Sequence, residues 1–264
     1  PHTMDSASYL QEAHLEEALS ALQDEVRKAP SQVDLRVRLF ALNCVLGRWE
    51  KGGSDLGVIK TLDKSWFLPA QVYLSLLGAE SLRREVFFAK AKPEMLGEPE
   101  PWIGWNVQAL ALDAERRFSE ASELRRQAWE SAPEFKANVD GQTCEWLSDA
   151  DRRIGPVLEV ILEGKYYWVP FSHIRKVEVT PPEFLADTVW IGAKLHIRGG
   201  AELSAHLPAR YPRTEFSSEG NVRLGRMTDW VMDDGGELRP VGQKLFESAT
   251  EQFGLLSCRS IDFE

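Results

Sequence analysis

The hydrophobic pattern of this chain changes its period once, and that change constrains the fold more than any other feature. In the first part, apolar residues are spaced three or four apart, as on one face of a helix: Leu15, Ala18, Leu19, Leu22 and Val26. After Pro156 the spacing becomes two, as in a half-buried strand: Val189, Ile191, Ala193, Leu195 and Ile197. The sequence therefore predicts an α+β protein with a helical front part and a β-rich back part.

The front part shows a repeated pattern of helices. The pattern predicts a helix from Leu15 that Pro30 ends, a second over about 33–46 that Gly47 ends, and a third from Trp49. Ala18 and Leu22 have counterparts at Gly52 and Leu56, each 34 positions later in the chain. This spacing is the length of the tetratricopeptide repeat, in which stacked helix pairs bury one another and leave a concave groove.

A later segment gives the clearest copy of this repeat. Large, small and terminating residues occupy the expected positions at Trp105, Phe118, Ala121, Ala128 and Pro133. Small residues suit those positions because paired helices must approach closely. Residues 67–100 are helical in pattern but fit the repeat poorly, and a generic helical bundle remains an alternative to tetratricopeptide-like repeats.

The back part predicts several short strands with turns between them. A three-residue loop, Gly199-Gly200-Ala201, is predicted to set Ile197 opposite Leu203 and Leu195 opposite Ala205. Further strand candidates are 157–171, 174–180 and 222–232. Such a series is typical of a small barrel or sandwich.

These patterns divide the chain into a tetratricopeptide-like helical domain over 4–140, a junction over 141–156 and a β-rich domain over 157–264. Residues 1–3, which precede Met4, look like the leftover of an expression tag.

Composition sets the expected compartment and excludes some partners. The net charge is −10 and the pI is near 5.2, which disfavours nucleic acid or an anionic membrane as partner. Residues 65–79, the longest uncharged stretch, are too few to span a bilayer. The three cysteines share no C-x-x-C spacing, and the N-terminus lacks a signal-peptide pattern. We therefore expect a cytoplasmic protein without disulfides.

No catalytic motif is visible, and we expect no enzyme activity, cofactor or metal. His173, His196 and His206 are candidate zinc ligands, but surface histidines on strands are usually only solvated. Asp149 and Asp151 precede Arg152 and Arg153, which favours ion pairs at the junction. The rival interpretation is a metal-dependent hydrolase centred on these aspartates and the histidines.

Five motifs, in this order, resemble the ImpE family. They are Glu98-Pro99-Glu100-Pro101-Trp102, Trp146 with the run from Asp149 to Glu159, the run from Gly164 to Phe171, Arg210-Tyr211-Pro212 and Thr228-Asp229-Trp230. The resemblance extends from Ala18 to the C-terminus. One departure is Ala186, which follows Leu185 where the family usually has an arginine.

Members of the ImpE family include TagJ-type accessory proteins of bacterial type VI secretion. The resemblance implies a non-enzymatic adaptor that binds the N-terminal helix of the small sheath subunit and associates with the ClpV-type AAA+ ATPase. It supplies no catalytic or binding residues. A general tetratricopeptide-type chaperone for secreted substrates is a third possibility.

Two sets of side chains follow from these interpretations. We predict a helix-binding groove on the concave side of the repeats, lined by Val37, Ala41, Cys44, Ile103, Asn106 and Leu110. The same six residues would equally suit packing between helices. Alternatively the β-rich part holds the site, through Trp190, predicted to be exposed, or the face with His196 and His206. Structural roles at the junction are predicted for Asp149, Asp151, Arg153, Arg210 and Tyr211.

Overall fold

A computed structural model describes residues 4–264, so the three residues interpreted as a tag leftover lie outside the described residues. The described chain contains eight α-helices: α1 Ser6–Gln11, α2 Leu15–Lys28, α3 Val33–Val45, α4 Trp49–Leu62, α5 Phe67–Phe87, α6 Pro101–Ala114, α7 Phe118–Ser131 and α8 Gly220–Arg223. Seven of them precede strand β2 (Ala137–Val139), and the short strand β1 (Glu94–Met95) lies between α5 and α6. The predicted α+β class is confirmed.

The three helices predicted from sequence are confirmed as α2, α3 and α4, and Gly47 has the positive φ of +72° expected of a residue that ends a helix. Helix starts recur at the spacing of the tetratricopeptide repeat: α2 and α4 begin at Leu15 and Trp49, and α3, α5 and α6 begin at Val33, Phe67 and Pro101. The poorly fitting segment contains α5. No proline follows Pro69 in this helix, so it continues through the point where that spacing would start another.

Fourteen strands account for most of the remaining structure: β1 Glu94–Met95, β2 Ala137–Val139, β3 Gln142–Cys144, β4 Ser148–Asp149, β5 Val157–Leu162, β6 Lys165–Pro170, β7 Ile174–Val179, β8 Trp190–Ile197, β9 Glu202–Pro208, β10 Thr228–Met232, β11 Leu238–Gly242, β12 Leu245–Glu247, β13 Gln252–Gly254 and β14 Ser260–Phe263. Nine of them form one sheet in the order β1-β6-β5-β9-β8-β7-β14-β2-β3. The others form a β13-β12-β4 sheet and a two-stranded β10-β11 ribbon.

The β8-β9 hairpin exists, but its predicted register is wrong by two residues. Leu195 pairs with Leu203, and Ala193 pairs with Ala205. The loop is centred on Gly199 and Gly200, whose φ values are +100° and +104°, and the Ile197 N–H donates to the Ala201 carbonyl at 2.8 Å. Because the shift is even, every side chain keeps its predicted face.

The strand predicted over 222–232 is also wrong in its first half. Residues 220–223 form α8, and Gly225 at φ +66° ends that turn before β10 begins. A left-handed residue at that position stops both helix and strand, which the apolar pattern alone does not show.

The large sheet lies between two hydrophobic cores, and the helices share one of them. Its helical face buries Trp168 and Trp190 together with helical residues such as Phe40 and Leu56. Aromatic contacts join the two layers: Phe87 meets Trp168 with ring centroids 6.3 Å apart, and Trp49 meets Trp190 at 5.9 Å. The other face packs against the β13-β12-β4 sheet. In residues 4–264, no helix combines the length and apolar character needed to cross a bilayer.

Candidate partner-binding site

The six residues predicted to line a concave groove do not line an open one. Ala41, Cys44, Ile103, Asn106 and Leu110 are buried, and Val37 is half-buried against the same core. Asn106 Nδ2 donates to the Ile154 carbonyl at 3.3 Å, so it packs against the junction. The sheet covers this side of the helices. These side chains therefore pack between secondary-structure elements and do not line a groove.

The predicted exposure of Trp190 is wrong. Its side chain is 1% exposed, and Nε1 donates to Glu80 Oε2 of α5 at 3.1 Å. The alternation of β8 places Trp190 on the face with Lys194 and His196. The helical layer covers the beginning of that face and leaves its far end accessible, with Lys194 exposed.

The junction aspartates are buried and hydrogen-bonded, and their partners differ in part from those expected. Asp151 accepts hydrogen bonds from Arg153 Nε at 3.0 Å and Nη2 at 2.6 Å. Burial alone would raise the pKa of Asp151, but Arg153 lowers it. Asp149 Oδ1 accepts the Asp151 N–H at 2.8 Å and the Tyr211 hydroxyl at 2.8 Å. Arg152 makes neither ion pair, and its side chain is exposed.

A lysine that the sequence analysis missed completes this network. Lys244 is fully buried, and its Nζ lies 2.5 Å from Asp149 Oδ2 and 2.6 Å from Glu159 Oε2. Glu159 is held from the other side by Arg83 of α5, with Nε to Oε1 at 2.7 Å and Nη2 to Oε2 at 3.1 Å. One sequence signal existed: Glu159 is the only charged residue in the otherwise apolar strand β5. A charge in such a strand requires buried partners.

Arg210 connects the network to the helices. Its Nη1 donates to the Val45 carbonyl at 2.9 Å and also to the Arg223 carbonyl, and its own carbonyl accepts from Arg83 Nη2 at 2.9 Å. Burial lowers the pKa of Arg210 to about 10. This guanidinium therefore satisfies the C-terminal carbonyl of α3, which a buried helix end requires.

The same geometry removes the basis for a hydrolase at this position. Asp149 and Asp151 are 1% and 0% exposed, so a substrate has no access to either carboxylate. The histidines lie apart from them. His196 is flanked by Glu178 at 2.6 Å and Glu202 at 3.2 Å, while His206 pairs across the hairpin with Gly192. Among the described residues, no three histidine, cysteine, aspartate or glutamate side chains are placed to hold a metal ion.

An open groove runs along the outer face of α7. Phe118, Ser122, Arg125 and Trp129 follow one another at helical spacing on its floor. Ala121 and Ala128, which are fully buried, lie roughly 80° around the helix from this row, on the side of α7 that packs into the protein. From Phe118 to Trp129 the groove extends about 16 Å, or about three turns of a helix.

The facing wall comes from the junction and the β-rich part. Trp146 stands edge-on to Trp129, with ring centroids 6.3 Å apart and planes at 87°. Further along, Arg152, Glu247, Glu237 and Gly235 complete a cleft of about 860 Å³. Trp129 is 42% exposed, so part of its indole is accessible from the groove.

The groove carries charged groups of both signs. Arg125 forms an ion pair with Asp113, and its buried Nε has no hydrogen-bond partner within the described chain. On the rim, Arg126 lowers the pKa of Glu123 to about 2 through hydrogen bonds. Burial raises the pKa of Glu247 on the wall, which the charge of Arg152 partly offsets. An apolar pair at one end, a phenylalanine at the other and charges of both signs suit an amphipathic peptide segment.

Comparison with known proteins identifies the family. Residues 141–262, which include Trp146, Arg152 and the junction, match the sequence model described as ImpE protein. The chain is 41% identical over 261 residues to the Type VI secretion system accessory component TagJ of Pseudomonas aeruginosa, covering 99% of this chain and 92% of that protein. The chain therefore belongs to the ImpE family.

A solved structure supports the fold. The X-ray crystal structure of a Vibrio parahaemolyticus protein matches with a TM-score of 0.87, covering 98% of this chain and 97% of the other. The two sequences are 24% identical, so this likeness concerns the architecture.

Proposed function

We propose that this protein is a non-enzymatic, cytoplasmic adaptor of a type VI secretion system. In this proposal it binds the N-terminal helix of the small sheath subunit in the α7 groove and links it to the ClpV-type AAA+ ATPase. The name of the Pseudomonas aeruginosa relative supports an accessory role in type VI secretion. The observation that carries the binding site is the open groove with Trp129 and Trp146 at one end.

The dimensions and chemistry of the groove favour a helix as the occupant. Three turns of an amphipathic helix would place one apolar side chain near Phe118 and another on the Trp129-Trp146 pair. Tryptophan is the residue most enriched among side chains that dominate binding energy. Arg152, which is exposed on the facing wall, offers donors to carboxylates on the polar side of such a helix.

The helical spacing fits the same role in a second way. Helix starts that recur at the spacing of the tetratricopeptide repeat support stacking of that kind, a scaffold that commonly presents peptide-binding surfaces. The sheet occupies the side predicted to be concave, so the proposed site lies on the last helix of the array. The buried junction then acts as a rigid support between the two walls of the groove.

We expect a labelled synthetic peptide of the sheath subunit's N-terminal helix to bind saturably in a fluorescence-anisotropy titration. Trp129→Ala should weaken this binding by about 30-fold or more, since tryptophan hot spots contribute about 2 kcal/mol or more. Leu68→Ala is the matched control, because Leu68 is an exposed apolar residue on α5, away from the groove. Its affinity should equal that of the wild type.

Absence of saturable binding by the wild-type protein would reject the sheath helix as partner. Equal affinity of the Trp129→Ala and wild-type proteins for the peptide would reject the groove as the binding site. It would not reject the sheath helix as the partner. For the second link, the adaptor loaded with peptide should sediment together with a ClpV-type ATPase hexamer, which is the heavier particle. Absence of the adaptor from the fraction that contains the hexamer would contradict the linking role.

A further inference from the structure

The two-stranded β10-β11 ribbon leaves one strand edge open. β11 is covered by the body of the protein: Arg239, Pro240, Val241 and Gly242 are buried, and the Gly242 carbonyl accepts the Tyr211 N–H at 2.9 Å. Among the strands of residues 4–264, β10 pairs only with β11, and four of its five residues are exposed. The outer edge of β10 is therefore an unpaired strand at the surface.

The hydrogen-bond pattern shows which backbone groups face outward. Met227 and Asp233, which flank β10, both form backbone hydrogen bonds toward β11. The Asp233 N–H donates to the Glu237 carbonyl, and the Gln243 N–H donates to the Met227 carbonyl. Alternation in an antiparallel pair then directs the backbone groups of Thr228, Trp230 and Met232 away from β11. Pro240, which has no N–H, lies opposite Trp230 as this assignment requires.

Exposed apolar side chains surround this edge. Trp230, Val231 and Met232 are 38%, 50% and 59% exposed, and Met227 and Leu238 beside them are also exposed. Trp230 and Met232 project from one face of β10 and Val231 from the other. Natural proteins usually protect such an edge with charges, prolines or a covering element. Here the protection is one contact, the Trp230 N–H donating to the Asp229 carboxylate at 2.8 Å.

The charge around the edge indicates the character of an occupant. Asp229 is exposed, and no cation of the described chain lies within salt-bridge distance of it, whereas Asp233 and Asp234 pair with Arg239 and Arg116. The whole chain carries a net charge of −10. A second copy paired antiparallel about Trp230 would bring two Asp229 side chains to diagonal positions on one face, where like charges repel. A basic strand would instead neutralise Asp229.

We propose that the outer edge of β10 binds an extended segment of another protein by strand addition. The segment alternates apolar residues with lysine or arginine, so that main-chain bonds form with β10 and a cation faces Asp229. The exposed indole of Trp230 adds a surface for an aliphatic or cationic side chain. The turn of the same ribbon, at Gly235 and Glu237, forms part of the α7 groove wall, and the outer edge of β10 gives an adaptor a second, differently shaped docking surface.

The test uses two fluorescein-labelled peptides of seven residues, with valine and lysine alternating, in an anisotropy titration. One has an ordinary backbone, and the other is N-methylated at alternate residues, which preserves its charge and side chains but removes one row of donors. We expect saturable binding of the first and at least tenfold weaker binding of the second. Asp229→Lys should weaken binding of the first peptide at least tenfold, while Trp129→Ala leaves it unchanged.

Three outcomes would overturn the proposal. Equal binding of both peptides would mean that charge alone attracts them. No saturation at millimolar peptide would mean that the edge does not accept a strand. A concentration-dependent dimer, seen by light scattering and abolished by Met232→Lys, would assign the edge to a second copy. Because Asp229 and Met232 are exposed, neither substitution is expected to unfold the protein.

Discussion

Glu159→Gln is expected to lower the free energy of unfolding by about 3 kcal/mol, close to the lower limit for breaking a buried ion pair. Glu159 is fully buried and accepts hydrogen bonds from Arg83, Lys244 and Tyr166. The substitution keeps the shape and removes the charge, so two buried cations lose a shared carboxylate. The loss stays near the lower limit because Arg83 retains Glu80 and Lys244 retains Asp149.

Urea denaturation at pH 7 measures this loss of free energy. In a thermal unfolding experiment, the melting temperature should fall by about 6–12 °C. The matched control is Glu123→Gln, which removes the exposed partner of Arg126 on α7. An exposed pair of this kind contributes little, so the control should unfold with the wild-type midpoint. Equal stability of the Glu159→Gln and wild-type proteins would show that the junction does not depend on this network.

The difference in the free energy of unfolding between the wild-type and Glu159→Gln proteins should become smaller as the pH falls. Burial would raise the pKa of Glu159, but the charges of Arg83 and Lys244 and their hydrogen bonds hold it well below its ordinary value of 4.5. A carboxyl group whose pKa is lowered by folding stabilises the native state above its unfolded pKa. That contribution is lost progressively as the pH falls below about 4.5. The glutamine variant lacks it at every pH.

Trp190→Ala is expected to cost about 3–5 kcal/mol of folding stability, the usual range for truncating a buried tryptophan. The indole packs against Trp49 and donates to Glu80, so the change leaves a cavity and an unpaired carboxylate oxygen in the core. Thermal unfolding followed by circular dichroism measures the loss. Trp230→Ala is the control, because Trp230 lies on an exposed strand and its truncation should change the melting temperature far less.

This pair of variants also separates two roles of tryptophan. If Trp190→Ala retained wild-type stability and lost partner binding, Trp190 would be an accessible anchor and the core described above would be wrong. The structure predicts the reverse, a destabilised protein whose remaining folded fraction still binds.

Local signals predicted the helices and the hairpin, but the register predicted for the hairpin was wrong by two residues. Pro30 and Gly47 mark helix ends through backbone chemistry that acts within a few residues. The β8-β9 register required knowing which residues adopt positive φ, and Gly199 and Gly200 in tandem allow more than one loop. The predicted and the observed registers place the same side chains on the same faces, so the hydrophobic pattern gives no basis for choosing between them.

The candidate site was harder to predict because it depends on how layers cover one another. The alternation of β8 places Trp190 on its polar face, but only the packing of α4 and α5 determines that this end of the face is buried. In α7, the spacing of Phe118, Ser122 and Trp129 was readable, and the buried Ala121 and Ala128 identify the inner face. The opposite wall, Trp146 and Arg152, comes from a different part of the chain, and no local pattern predicts that encounter.

The most direct test of the adaptor hypothesis is site-specific photo-crosslinking in the α7 groove. Benzoylphenylalanine replaces Ser119, an exposed residue on the groove rim, or Leu68 on α5, and each protein is irradiated with the sheath subunit's N-terminal helix. We predict a crosslinked product from position 119 that mass spectrometry maps to the apolar face of the helix, and none from position 68. Crosslinking from position 68 alone would contradict the groove as the partner-binding site.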